Sequence, residues 1–142
     1  MTTAFRRAES ALRKHALSYP ETKEAFPWGH TAIKVKGKAF LFMALEKGVF
    51  SLSVKLPVSG KVAVALPFAS PTEYGLGKSG WVTARFQAKD DVPVDMLKEW
   101  LDESFRAIAP KRVLALLEEN EERRRTRIRH DHSRFQRRSQ LS

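Results

Sequence analysis

A glycine-rich stretch in the middle of the chain has the residue types of a phosphate-binding loop. Gly75, Gly77 and Gly80 spell G-x-G-x-x-G, and Gly77-Lys78-Ser79 resembles the end of a P-loop. Such loops bind phosphate oxygens through backbone amides, because glycine lets the main chain approach the ligand closely. Nucleotide binding is therefore the first chemistry to test against the rest of the sequence.

The segment after these glycines argues against a nucleotide fold. Dinucleotide and P-loop sites both need a helix directly after the loop, whose N-terminus meets the phosphate. Residues 81–86 alternate between apolar and polar side chains instead, which predicts a strand. A P-loop would also need glycine at Thr72. With Val82 the glycines also match the G-x-G-x-x-G-x-V loop of protein kinases, which precedes a strand, but the other kinase motifs are missing. We interpret the loop as a turn that leaves Lys78 beside the strand.

No other stretch predicts a catalytic or metal site. A small-molecule or catalytic site around His30, Glu73 and Tyr74 is one hypothesis, and it requires these side chains to meet in one pocket. The histidines of His130-Asp131-His132 lie among arginines without a third ligand. The chain has no cysteine, which excludes disulfides and Cys-based zinc sites. We predict no enzyme activity, no cofactor and no metal.

Apolar periodicity predicts a long helix on each side of a strand region. Residues 3–18 repeat apolar side chains every three or four positions, and a proline ends this helix. Pro93 suits the first turn of the second helix, which continues to Ala109. Lys111–Leu117 then resumes as helix after a second proline.

Alternation with a period of two predicts an antiparallel meander with short glycine turns. The predicted strands are Thr31–Lys36, Ala39–Leu45, Val49–Leu56 and Trp81–Phe86, with a brief fifth edge strand at Thr72–Tyr74. A short helix over residues 61–66, capped by Ser59, follows the third strand. Phe26 and Trp28 are expected to be buried where the chain enters the sheet.

The element order, α-β-β-β-α-β-(β)-α, predicts an α+β protein. We expect a two-layer sandwich, in which an antiparallel sheet of four to five strands carries helices on one face and leaves the other open. Residues 1–117 form a single domain in this prediction, and 118–142 form a charged, arginine-rich helical extension and tail. We expect disorder after about Thr126, because few apolar residues remain to be buried.

The outward positions of the predicted strands collect basic and hydroxyl side chains. They are Lys34, Lys36, Ser51, Ser53, Lys55, Trp81, Thr83 and Arg85, with Lys78 at the rim. Basic groups that contact phosphates beside an aromatic ring that stacks on a base are typical of nucleic-acid surfaces. An ordinary solvated sheet face with a partly covered tryptophan has the same composition, so both interpretations remain open.

The charge distribution adds a second basic region. The formal net charge is +10, and half of it lies from Glu121 onward, where eight arginines accompany three acidic residues. Basic chains attract polyanions such as nucleic acid, and this attraction weakens with salt. No stretch approaches the roughly 20 apolar residues of a membrane span, and the N-terminus lacks a signal peptide's apolar run. We expect a soluble, cytoplasmic monomer that does not bind membranes.

Several motifs, in order along the chain, resemble the MmcQ/YjbR-like family. They are Phe26-Pro27-Trp28-Gly29-His30, the segments 33–38, 51–57, 78–82 and 97–105, and Ala109-Pro110-Lys111-Arg112, within a match over roughly residues 3–117. The resemblance implies a small α/β fold of the secretion-chaperone-like or CyaY-like type. It also implies DNA binding, a family-level proposal based on a double-wing shape. It offers no catalytic residues, and the arginine-rich segment lies outside it.

We therefore predict a non-enzymatic protein whose partner is nucleic acid, most simply DNA, bound weakly and in a salt-dependent way. The predicted phosphate contacts are Lys34, Lys36, Lys55, Lys78 and Arg85, with Trp81 stacking or packing and Arg123, Arg124 and Arg125 adding non-specific attraction. The alternative is a protein- or peptide-binding module that uses the open sheet face or an edge strand.

Overall fold

Six antiparallel strands form one sheet, in the order β1-β2-β3-β4-β6-β5. The structure is a computed structural model that describes residues 3–26 and 30–141. The strands are β1 (Thr22–Ala25), β2 (Thr31–Val35), β3 (Lys38–Glu46), β4 (Val49–Lys55), β5 (Ala69–Pro71) and β6 (Trp81–Phe86). The helices are α1 (Thr3–Leu17), α2 (Gly60–Ala63), α3 (Val94–Ile108) and α4 (Lys111–Leu141), with a 3-10 helix at Leu76–Ser79. The α+β class predicted from the sequence is confirmed.

The helices α1 and α3 pack on one face of this sheet, which we call the helix face; the opposite side is the open face. Strand β4 shows the division most clearly, because Phe50, Leu52 and Val54 are fully buried and the alternate positions are partly exposed. On the helix face, the Phe105 ring of α3 stacks on Tyr19 at 4.3 Å and contacts Phe40 edge-on at 5.2 Å. Burial of such aromatic area dominates the stability of a small domain.

A β-bulge brings two consecutive β3 residues into the core. The pairing between β2 and β3 shifts after Ile33, and both Phe40 and Leu41 are fully buried. The Ser104 hydroxyl of α3 donates to the Phe40 carbonyl at 2.6 Å and accepts the Lys55 amide at 2.9 Å. This buried hydroxyl ties the bulge and the end of β4 to α3.

Both edges of the sheet differ from the sequence prediction. Strand β1 lies in a stretch that was predicted to be irregular. Its four residues contain no large apolar side chain, so they show no strand pattern in the sequence. At the other edge, the strand is Ala69–Pro71; its predicted position at Thr72–Tyr74 is wrong, because Tyr74 takes a positive φ of 60° in a turn. Phe26 is 62% exposed, contrary to the predicted burial, since it lies past the last β1–β2 pair. Trp28 lies outside the described residues.

The chain divides into two compact units, Met1–Ala109 and Pro110–Ser142. The second unit consists of the helix α4, which continues to Leu141 where the sequence predicted disorder. Arginine, glutamate and glutamine have high helix propensity, so the segment forms a helix without an apolar stripe. Side chains are described in this helix as far as Arg129, and Glu122 pairs there with Arg125 at 3.0 Å and with Arg129 at 3.3 Å.

Candidate nucleic-acid interface

The centre of the open face is a chain of hydroxyl groups on neighbouring segments. The Thr83 hydroxyl of β6 lies 2.8 Å from that of Ser53 on β4 and 2.9 Å from that of Thr72. Thr83 is buried although it lies on the face without long helices. These hydroxyls satisfy one another, so the middle of the open face is a structural patch rather than a set of free ligand-binding groups.

Trp81 is the aromatic residue that the sequence analysis placed on this face, and its ring is largely covered. It is 8% exposed and packs against Phe42 of β3 with the ring centroids 5.6 Å apart. A ring must expose its face before a base can stack on it. Of the two predicted roles, stacking and packing, the described geometry therefore favours packing for Trp81.

Two of the predicted basic residues lie next to Trp81. Lys55 is directly opposite Trp81 in the β4–β6 register, and Lys78 lies in the 3-10 helix that precedes β6. The Lys55 main chain is held from the helix face by Ser104, while its side chain lies on the open face. Lys78 is exposed. The structure thus places both residues at the end of the sheet where β4 ends and β6 begins.

Lys34 has a basic neighbour that the sequence pattern did not predict. It lies on the open face of β2, directly opposite Lys23 of β1. The missed strand explains the missed residue, because Lys23 joins this face only through the β1–β2 pairing. Since neighbouring strands lie about 4.8 Å apart, Lys23, Lys34 and Lys55 span roughly 15 Å across β1, β2 and β4. We call these three residues the lysine row.

The other two predicted sheet-face cations already have acidic partners. Lys36, in the β2–β3 turn, pairs with Glu21 at 3.2 Å. Arg85 lies four residues beyond Trp81 on β6, where it donates to Ser70 at 3.2 Å and lies 3.5 Å from Glu73. All four of these ion-pairing side chains remain partly exposed, so both pairs are weak and open to exchange with another anion.

The glycine loop is closed by its own hydrogen bonds. The amides of Leu76, Gly77, Lys78 and Gly80 donate to carbonyls of residues 72–77 at 3.0 to 3.3 Å. A Cβ atom at Gly77 would lie 2.7 Å from the Pro71 Cβ, so the need for glycine there comes from internal packing. These four amides therefore donate to carbonyls of the loop itself, and they do not form a phosphate-binding cradle.

The residues of the enzyme hypothesis do not meet in one pocket. His30 pairs with Glu46 at 3.0 Å near β2 and β3, whereas Glu73 and Tyr74 lie beyond β4, next to β6. Tyr74 is 97% exposed. No cluster of three or more His, Asp or Glu side chains able to hold a metal occurs where side chains are described. The motif His130-Asp131-His132 lies outside that part of the chain.

Two shifted pKa values belong to the scaffold. Burial alone would raise the pKa of the Glu103 carboxyl, but hydrogen bonds from the Ser59 hydroxyl, the Ser59 amide and the Val58 amide lower it below its ordinary value. Ser59 therefore bonds to α3 rather than capping α2 through its side chain. Burial lowers the pKa of His15, the Lys98 ammonium lowers it further, and Asp102 partly offsets this.

The predicted arginines of the tail lie on α4. Arg123, Arg124 and Arg125 are all exposed, and Arg125 is the one of the three that pairs with Glu122. Arg127 is also exposed and lies one helical turn after Arg123, so these two residues share one side of α4. The second unit thus presents its own basic surface.

These features define a class: a small α+β protein with a six-stranded sheet, one helix-covered face and one open face edged by lysines. None of its described helices combines the length and apolar character needed to cross a bilayer. The family model described as YjbR matches residues 17–107. The chain therefore belongs to the YjbR family.

A solved structure supports this assignment. The chain is similar to the crystal structure of Deinococcus radiodurans protein DR2400, which has a DUF419 domain, with 28% sequence identity and a TM-score of 0.57. The similarity covers 70% of this chain and 77% of that one. No curated protein matches the chain.

Proposed function

We propose that this protein binds nucleic acid, with DNA as the expected partner, through the basic end of its open sheet face. The observation that carries the proposal is the lysine row, Lys23, Lys34 and Lys55, with Lys78 beside it. None of these four lysines has an acidic partner in the part of the chain that the structure describes. Ammonium groups without local partners are available to phosphates, whose contacts dominate the affinity of nucleic-acid complexes.

The closed centre of the open face determines the kind of binding expected. Trp81 packs on Phe42, and the hydroxyls of Ser53, Thr72 and Thr83 satisfy one another. Few groups remain there to recognise base edges, and phosphate contacts carry no direct sequence information. We therefore expect weak binding that is strongly salt-dependent and depends little on sequence.

A salt titration tests the proposal. Fluorescence anisotropy of labelled single- and double-stranded DNA with the full-length protein should give an association constant that falls linearly with salt on a logarithmic scale. Each phosphate contact contributes about 0.7 to 0.9 to the slope, so three or four lysines contribute roughly −2 to −4, and contacts of the α4 arginines make the slope steeper. Absence of binding near 50 mM salt, or binding that is independent of salt, contradicts the proposal.

Variants that remove lysine charges at different places separate the open face from general attraction. The double variant Lys34→Gln and Lys55→Gln removes two charges from the lysine row and should reduce the magnitude of the slope by about 1.5. Lys47→Gln is the control, because Lys47 lies in the β3–β4 turn, at the opposite end of β3 from the lysine row. An equal loss per removed charge in both proteins would show that position on the sheet is irrelevant.

The contribution of α4 needs its own variant. Replacing Arg123, Arg124 and Arg127 with glutamine removes three exposed charges while keeping good helix formers. The proposal predicts that the salt dependence decreases and that measurable binding remains. If binding disappears with these changes and survives the lysine changes, the α4 helix and not the sheet is the interface.

A second candidate function is protein binding, and an exposed apolar pair favours it. Val58, two residues before α2, is 83% exposed, and Val62, within α2, is 76% exposed. Exposed apolar side chains grouped in this way occur at protein contacts. Capture of a defined partner that survives nuclease and high salt, and is lost in Val62→Asp, would support this function over nucleic-acid binding.

A further inference from the structure

A small pocket lies on the open face where β1 meets β2. It has a volume of about 230 Å³ and is lined by Glu21, Lys23, Lys34, Lys36 and Gly37. Pockets that hold whole drug-sized ligands occupy about 300 Å³ or more, so this pocket suits a single small group. Three of its five lining residues are lysines, and one is acidic.

The two strands place like charges directly opposite each other in this pocket. Lys23 and Lys34 are cross-strand partners, and their side chains lie on the same face of the sheet. Like charges in such a position destabilise the strand pair unless an anion lies between them. Neither lysine has an acidic partner within the described residues. The pair is therefore an unsatisfied cationic site.

The third lysine of the pocket, Lys36, forms an ion pair with its acidic residue, Glu21. Glu21 pairs with the Lys36 ammonium at 3.2 Å, which neutralises that lysine and leaves the charge of the other two. Glu21 and Lys36 both have positive φ angles, 61° and 50°, and they flank the same terminal pair of the β1–β2 ladder, Thr22 with Val35. Non-glycine residues rarely adopt this conformation, and it persists where surrounding contacts maintain it. The ion pair thus lines the pocket beside Lys23 and Lys34.

We propose that this pocket binds one phosphate group between the Lys23 and Lys34 ammonium groups. The inference deepens the proposed function, on which it rests for the expected source of the phosphate, a nucleic-acid strand. Free phosphate or a terminal phosphate ester offers the same chemistry. Lys55, two strands from Lys34, is then placed to contact a neighbouring phosphate of the same strand.

The first experiment uses inorganic phosphate as the probe. Amide chemical shifts of the full-length protein are followed by NMR during titration with phosphate, and potassium chloride at matched ionic strength is the control. We expect saturable shifts at the amides of β1 and β2 with phosphate alone. The double variant Lys23→Gln and Lys34→Gln should weaken phosphate binding at least tenfold, and Lys47→Gln should change it less than twofold. Equal, non-saturating shifts with both salts overturn the inference.

A stability measurement guards against a variant that fails to fold. Lys23→Gln removes the like-charge contact, so without phosphate its melting temperature should equal or exceed that of the wild type. Phosphate should raise the melting temperature of the wild type and have no such effect on Lys23→Gln. An equal rise in both proteins contradicts a site between these two lysines.

Oligonucleotides distinguish the two sources of phosphate. Single-stranded DNA with a 5′-phosphate is compared with the same strand ending in a hydroxyl. Equal affinities, both lost in the double variant, show that backbone phosphates occupy the pocket; a preference for the 5′-phosphate shows a terminal one. Saturable phosphate binding without any DNA binding supports the pocket and contradicts the proposed function. DNA binding that the double variant retains in full supports the function and contradicts the pocket.

Discussion

The two faces of the sheet are built from the same strands by opposite means. On the helix face, apolar side chains such as Leu52 and Phe86 are fully covered by helices and by one another. On the open face, a hydroxyl chain and one Phe42–Trp81 contact close the centre, and lysines lie around it. The free energy of unfolding should therefore depend mainly on the helix face, and binding mainly on the open face.

Phenylalanine occurs on both faces, so the same change, phenylalanine to alanine, can be made on each face to test this contrast. Phe105→Ala on the helix face removes a ring that contacts Tyr19 and Phe40, and should lower the free energy of unfolding by about 3 to 5 kcal/mol. Phe42→Ala on the open face removes a half-buried ring and should cost about 1 to 2 kcal/mol. Urea unfolding followed by circular dichroism measures both.

Phe105→Leu provides a milder change if the alanine variant does not fold. It should cost about 1 to 1.5 kcal/mol, because most of the apolar volume is kept. Equal losses in the Phe105 and Phe42 alanine variants would show that the two faces contribute alike and would remove the contrast.

Ser104 ties α3 to the main chain of β3 and β4, and its loss is expected to have the next largest effect. Its hydroxyl is fully buried and bonds both to the Phe40 carbonyl and to the Lys55 amide. Ser104→Ala leaves both backbone groups without this partner and should cost about 1 to 3 kcal/mol. Ser53→Ala, in the open-face hydroxyl chain, is the matched control, with an expected cost of about 0.5 to 1 kcal/mol.

Hydrogen exchange gives the Ser104 prediction an independent measurement. The Lys55 amide should exchange faster in Ser104→Ala than in Ser53→Ala, because only the first substitution removes its acceptor. Unchanged protection of this amide would mean that the hydroxyl does not hold the end of β4.

The sequence predicted the central strands because burial imposes a pattern on them. In β4, Phe50, Leu52 and Val54 alternate with polar residues, and the structure places these three residues in the core. The predicted β6 has the same bounds as the observed strand, since its alternation is equally clear. Period-two patterning is reliable where one face of a strand is packed and the other is not.

Strand β1 has no such pattern, and for this reason it could not be predicted from the sequence. Thr22–Ala25 is stabilised by pairing with β2. A second contact is the ion pair between Glu24 and Arg13 of α1, whose Oε1 and Nε atoms lie 3.2 Å apart without forming a hydrogen bond. Neither contact leaves a local signal in the sequence. Lys23 was missed with the strand, so only part of the candidate site was predictable.

Glu103 shows how a charged group contributes to the helix face and provides a pH test. Its hydrogen bonds lower the pKa of its carboxyl, so the folded protein binds a proton there less readily than the unfolded chain. The resulting stabilisation is fully present above the ordinary pKa and is lost as the pH falls through the lowered one. Glu103→Gln should cost about 1 to 2 kcal/mol at pH 7, and the difference from wild type should shrink toward pH 3.

The comparison with Glu103→Gln cancels other titrating groups. His15, whose lowered pKa makes stability fall as the pH drops below about 6.5, is present in both proteins. Urea unfolding at several pH values gives the difference directly. A difference between the two proteins that stays constant from pH 7 to pH 3 would show that the Glu103 charge is not responsible.

The smallest expected effect compares two turns of the same geometry. Lys36-Gly37 and Lys47-Gly48 both take positive φ angles at both positions, as two-residue hairpin turns of type I′ require. Asparagine tolerates this conformation better than lysine, so Lys47→Asn should raise the free energy of unfolding by about 0.5 to 1 kcal/mol. Lys36→Asn should gain less, because it also removes the ion pair with Glu21. The difference between these two gains measures the stabilisation that the ion pair provides. If both variants gain equally, the pair of Glu21 with Lys36 does not stabilise the protein.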